Sequence, residues 1–165
     1  MPMSEYLRRL RERVGSDLLV LPAVAVMVLD ERQRLLLVKD AGLRLWATPG
    51  GAVDPDEAPA DAAVRETWEE TGLLVEPRRV LGVYGGPEFR LTYANGDVVS
   101  YAVIAFAARS VGGSMRPDGV ETTALGWFSA AEAAALEMGP WTRAMIRDAF
   151  ARPARARFAP PAWRP

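Results

Sequence analysis

The sequence contains no cysteine and no histidine. The first absence excludes disulfides, zinc–thiolate sites and thiol nucleophiles. The second removes the usual acid/base of near-neutral pH and the commonest metal ligand. Chemistry in this chain therefore falls to carboxylates, Lys, Tyr, Ser/Thr or a bound ion. Carboxylates favour hard cations such as magnesium, manganese or calcium. An excess of one charge is also missing. Twenty Lys and Arg face 21 Asp and Glu, a net charge of −1, so no overall field draws the chain to nucleic acid or an anionic membrane. The longest apolar stretch, Leu18–Leu29, is too short to span a bilayer. The charged N-terminus does not look like a secretory signal. A cytoplasmic protein without a membrane partner is the expectation.

What is present suits one globular domain: 165 residues, half of them hydrophobic and a quarter charged. Residues 4–14 read as an amphipathic helix, with Tyr6, Leu7, Leu10 and Val14 at helical spacing, Ser4 as N-cap and Gly15 as stop. That helix either covers one edge of the core or meets a second copy of the chain in a homodimer. Apolar runs at 19–29 and 34–39 flank a turn at Asp30–Gln33 and suggest a hairpin. Residues 41–56, rich in Gly, Pro and Asp, read mainly as loop. The clearest helix spans 59–71, from Pro59 to the stop at Gly72. Strands are expected near 73–84, 88–94, 97–108 and 122–128, with Asn95-Gly96 as a hairpin turn and 109–120 as a Gly-rich loop. Ser129 and Glu132 form a capping-box pattern, and a last helix fits 140–151. The Pro-, Ala- and Arg-rich segment from Arg152 is expected to be mobile. Strands alternating with helices in this way predict an α/β fold.

One segment carries the chemistry. Glu66, Glu69 and Glu70 stand at i, i+3 and i+4, which puts three carboxylates on one helix face. Such spacing also occurs on ordinary solvated helices. If the face is enclosed instead, a divalent cation is the natural compensation for the repulsion. Ala62 and Ala63, one turn earlier, leave room beside the acids. Arg65 precedes Glu69 by four residues and can form a bidentate pair with it. Val64, Trp68 and Thr71 are expected to anchor the opposite face in a core. Pro49-Gly50-Gly51 allows a tight backbone turn that aims a carbonyl at an ion.

The stretch from Gly51 to Leu73 resembles the Nudix box, G-x5-E-x7-R-E-U-x-E-E-x-G-U, with U a bulky aliphatic residue. Gly51, Glu57, Arg65, Glu66, Glu69, Glu70, Gly72 and Leu73 match it; Thr67 replaces the first U. The flanking Leu45–Gly51 entry and Trp127-Phe128 with its Ser-capped helix are also similar to the family. The resemblance implies a Nudix-type α/β/α sandwich with a mixed β-sheet over 18–151, preceded by a helical segment at 1–17 and followed by a tail at 152–165. It implies a hydrolase that cleaves a nucleoside diphosphate linked to another group X. Glu66, Glu69, Glu70 and the Gly50 carbonyl would bind magnesium or manganese. Arg65 would orient the acids, while Gly51, Glu57 and Gly72 would shape the motif. The general base would be a box glutamate or a distal acid, Glu121 being the first candidate and Asp118 its competitor.

The expected partner is a small nucleotide. Nucleic acid is not an expected partner, given the charge balance. ADP-ribose or a nucleotide sugar is the first substrate expectation, and a nucleoside triphosphate pyrophosphatase of the nucleotide-pool-cleansing type is the alternative. Tyr84, Phe89, Arg90 and Tyr93 are candidates to stack on a base or meet a phosphate, against simple strand packing. The isomerase of the same fold uses a cysteine that this chain lacks.

Overall fold

A computed structural model of the chain describes residues 4–164. Helix α1 (Glu5–Val14) is capped by Ser4, whose hydroxyl accepts from the Leu7 amide, and stops at Gly15. Strands β1 (Leu19–Val28), β4 (Leu73–Tyr84), β5 (Arg90–Thr92) and β6 (Val98–Gly113) form a four-stranded sheet. Long β6 runs parallel to β1 along one edge and antiparallel to β4 and β5 along the other. Strands β2 (Leu35–Asp40), β3 (Trp46–Ala47) and β7 (Thr122–Phe128) form a second, antiparallel sheet. Helices α2 (Pro59–Thr71), α3 (Ala130–Ala135) and α4 (Pro140–Ala151) complete the fold.

The layering follows from period-two alternation in strands buried on both faces. Ala23, Ala25 and Met27 of β1 join a core with Met145, Ile146 and Ala149 of α4. Val24, Val26 and Val28 of the same strand join a second core with Ala62 and Ala63 of α2. The result is helix, sheet, helix: the expected α/β/α sandwich, with α2 held on one side of β1 and α4 on the other.

Three expectations are corrected. The turn at Asp30–Gln33 exists, with the Asp30 amide donating to the Arg34 carbonyl at 2.9 Å. Yet β1 and β2 do not continue as a hairpin. They touch at a single bridge, Leu29 to Leu35, and part into different sheets. A strand buried on both faces needs a fully paired edge, and β1 finds it in β6. The Gly-rich 109–120 segment is not all loop, because β6 continues to Gly113 opposite Leu73 of β4. Trp68 does not anchor α2; it is exposed, while Thr67 and Thr71 are buried. Their hydroxyls turn back onto the helix, Thr67 to the Ala63 carbonyl at 2.8 Å and Thr71 to the Thr67 carbonyl. That satisfies both polar groups inside the core, including the Thr at the aliphatic position of the box.

The segment from Arg152 is tied down at one point. The Arg157 amide donates to the Leu81 carbonyl and its carbonyl accepts from the Val83 amide, both at 2.8 Å. No helix among the described residues is long and apolar enough to cross a membrane.

Candidate active site

The turn before α2 is zipped along the free edge of β1. The amides of Val24 and Val26 donate to the carbonyls of Gly51 and Pro49, both at 2.8 Å. Gly50, between them, has φ 152°, and a Cβ there would run into the Val24 carbonyl. Its own amide donates to Glu70 Oε2 at 3.1 Å. At Gly51 a Cβ would lie 2.5 Å from Glu66 Oε1. The two glycines thus let the backbone approach the acids closely enough to touch them.

Glu66 is not a solvated helix residue; it retains 3% of its exposure. Burial pushes its carboxyl above the ordinary range, against the pull of Arg65. Glu70 has a part-buried residue surface, but its carboxyl is crowded at the foot of the cleft. Burial, and then the charge of Glu66, push it up to about 8, while the Gly50 amide pulls it down. Glu69 differs, being 42% exposed at its side chain and 3.2 Å from Arg65 Nη1.

Arg65 organises this group. Its Nε and Nη2 grip the two oxygens of Glu57 at 2.7 and 2.8 Å, so the bidentate pair expected with Glu69 is made with Glu57 instead. Nη1 reaches Glu66 Oε1 at 2.9 Å, and Nη2 donates to the Ala52 carbonyl at 3.2 Å. The Arg65 hydrogen bond holds the Glu57 carboxyl below its ordinary value, and Glu57 also accepts from the Asp54 amide. One guanidinium therefore joins loop, helix and two of the acids.

Among the described residues, no three acidic side chains stand converged as a ready cation cage. Arg65 draws Glu69 aside, and three bare carboxylates would repel. The donor set still suits a hard cation. Glu66 and Glu70 are crowded carboxylates whose burial and mutual repulsion a dication would relieve.

Two cavities meet at Gly50 and Gly51. The larger, about 600 Å³, contains Glu66 and Glu70, with Glu121 on its lining. Asp118 is spent on its loop, accepting from the amides of Val120, Glu121 and Thr122. The smaller, about 170 Å³, is aromatic, lined by Trp46, Phe89, Tyr93, Tyr101 and Trp141. The hydroxyls of Tyr93 and Tyr101 are 2.8 Å apart. Of the aromatic and basic candidates, Phe89 and Tyr93 face this space. Tyr84 and Arg90 lie outside both linings; the Tyr84 hydroxyl donates to Asp148 at 2.9 Å, and Arg90 is exposed. Trp46, Tyr101 and Trp141 were not singled out from the sequence. Alternation along β6 offers a clue for Tyr101, which shares its face with Val99 and Val103; the two tryptophans arrive from distant segments.

A buried carboxylate pair beside a glycine turn, at the end of a sandwiched helix, defines a class of fold and site, and comparison with known proteins identifies it. The NUDIX domain model matches residues 20–149, and the chain belongs to the NUDIX family. The chain is 40% identical over 104 residues to a putative 8-oxo-dGTP diphosphatase of Bacillus subtilis, covering 63% of each protein. It is 35% identical over 99 residues to an ADP-ribose pyrophosphatase of Methanocaldococcus jannaschii, covering 58% of this chain and 55% of the relative. The match therefore spans less than two thirds of these relatives' length. The solved structure of an ADP-ribose pyrophosphatase from Streptococcus suis superposes with a TM-score of 0.65 at 26% identity, over 83% of this chain and 96% of that one.

Proposed function

We propose that the chain is a divalent-cation-dependent hydrolase that cleaves the diphosphate linkage of a nucleoside diphosphate derivative, with ADP-ribose or another nucleotide sugar as substrate. The observation that carries the reading is the pair Glu66 and Glu70, enclosed at the foot of a cleft with the Gly50 amide on one carboxylate and Arg65 on the other. The structure's donor set and the family support magnesium or manganese there, held by Glu66 and Glu70 with Glu69 and the Gly50 carbonyl. When bound, the ion supplies charge neutralisation for the diphosphate and a water of lowered pKa.

The chain's own residues do the rest. Arg65 and Glu57 keep the loop and α2 in register, so the acids meet the substrate in fixed positions. Glu121, on the lining of the same cleft, is the candidate to take a proton from the attacking water, with a box glutamate as the alternative base. The aromatic cavity beside Gly50 offers a stacking surface for a base, with Tyr93 and Phe89 among its walls.

Nucleoside triphosphate pyrophosphatase activity is the second reading, favoured by the 40% identity to the putative 8-oxo-dGTP diphosphatase. Assay of nucleotide sugars and nucleoside triphosphates with magnesium separates the two by the products released. We expect mononucleotide from ADP-ribose, loss of turnover with chelator, and recovery with magnesium or manganese. Glu70→Gln should lower kcat by about 100-fold or more, the scale of losing a preorganised charge at a phosphoryl site. Folded wild-type protein inert toward every member of both sets would defeat the proposal.

A further inference from the structure

Helix α1 lies before the segment that matches the NUDIX model. Ser4, Leu7 and Arg11, at i, i+3 and i+7, nevertheless line the same cleft as Glu66 and Glu70. No described residue of this amphipathic helix is fully buried. Of its apolar residues, Leu7 lines the cleft and is only part-buried, so an occupant of the cleft would complete its burial.

The helix is held there by Arg11, whose side chain keeps 9% of its exposure. Its Nη2 donates to the Val98 carbonyl at 2.9 Å. Its Nη1 donates to the carbonyls of Gly15 and Asp17 at 3.0 and 2.7 Å. Its Nε lies 3.5 Å from Asp97, which is itself bonded to Asn95 in the turn between β5 and β6. The guanidinium therefore locks α1 to the turn that forms the neighbouring wall.

The charge of the cleft limits what it accepts. Asp40, Asp54, Glu66, Glu70, Asp97 and Glu121 line it, and among the described residues Arg11, already engaged by Asp97 and three carbonyls, is its one cation. Among the described residues, the lining away from the acids that would hold metal carries no unengaged Lys or Arg for a further phosphate, while Leu7, Leu43 and Val99 offer apolar contact.

We propose that α1 is a wall of the substrate site that selects an uncharged group X, seated against Leu7, with Arg11 as the positioning residue that holds the wall in place. This rests on the diphosphate-hydrolase reading above. The test uses the full chain with magnesium and compares ADP-ribose with dGTP. Leu7→Trp, which fills the cleft, and Arg11→Ala, which unpins the helix, should each raise KM for ADP-ribose by about tenfold with kcat little changed, the signature of lost uniform binding. The preference for ADP-ribose over dGTP should fall by a similar factor. Tyr6→Ala, on the exposed face of α1, should alter neither. A second readout is independent of turnover: in Glu69→Gln protein, ADP-ribose with magnesium should protect the amides of α1 from hydrogen exchange. Unchanged KM in both cleft variants, or bound ADP-ribose without protection of α1, would overturn the proposal while leaving the hydrolase reading intact. Protection of α1 in a protein that turns over neither substrate would instead overturn the hydrolase reading and keep the wall.

Discussion

Gly51 owes its identity to a contact. A methyl group there would sit 2.5 Å from Glu66 Oε1, next to backbone that β1 holds in place. Gly51→Ala should therefore displace the acid or the turn, destabilising the fold by about 1–3 kcal/mol as overpacking does and reducing turnover more than stability alone explains. Urea denaturation beside initial rates measures both. Glu57 makes a different prediction. Because Arg65 depresses its folded-state pKa below the ordinary 4.5, the stabilisation is in full force above that value and is lost as pH falls through the lower folded value. Acidification from neutral pH toward 3 should lower the melting temperature of the wild type, and Glu57→Gln should remove that part of the slope. Residue roles were partly legible in advance, because the spacing of Glu57, Arg65, Glu66, Glu69 and Glu70 encodes a face and a motif. Spacing could not tell which carboxylate Arg65 grips twice, since Glu57 reaches it across a loop.

At the scale of elements, α2 was readable because Pro59 and Gly72 mark its ends and the box gives its register. Its orientation was misread at Trp68. Its place on the face opposite the acids suggested a buried tryptophan, but the close approach of α2 to β1 demands small residues, and Ala62, Ala63, Thr67 and Thr71 supply them. Thr67→Val should thus be tolerated within about 1 kcal/mol, because the Ala63 carbonyl remains in the helix ladder when the hydroxyl leaves. Thermal denaturation of the variant checks this. The Asn95-Gly96 turn was legible from local chemistry and joins β5 to β6. The parting of β1 and β2 was not, because pairing with β6 is set some 80 residues away in sequence. The extension of β6 through Gly112 and Gly113 was hidden for the same reason, glycines reading as loop until β4 pairs with them.

Across the whole molecule, the site assembles where both layers end. The β1 edge carries the glycine turn, α2 brings the acids, the second sheet contributes Trp46 and α4 brings Trp141. Such a cavity has no local signature, which is why its aromatics escaped the sequence. Beside this cavity, where Tyr84 packs on Phe89, the Tyr84 hydroxyl donates to buried Asp148, and Arg157 of the final segment lies 3.5 Å from the same carboxylate. Tyr84→Phe should cost about 1.5–3 kcal/mol in chemical denaturation, as for a hydrogen bond to a charged acceptor.

The proposed hydrolase depends on Glu66 and Glu70 together holding a divalent cation at the foot of the cleft. Manganese titration followed by electron paramagnetic resonance, on wild type and Glu70→Gln, tests it without reference to any substrate. Saturable binding to the wild type is expected, weakened by about tenfold or more when Glu70 loses its charge. Equal affinity in the two proteins, or no binding to either, would contradict it.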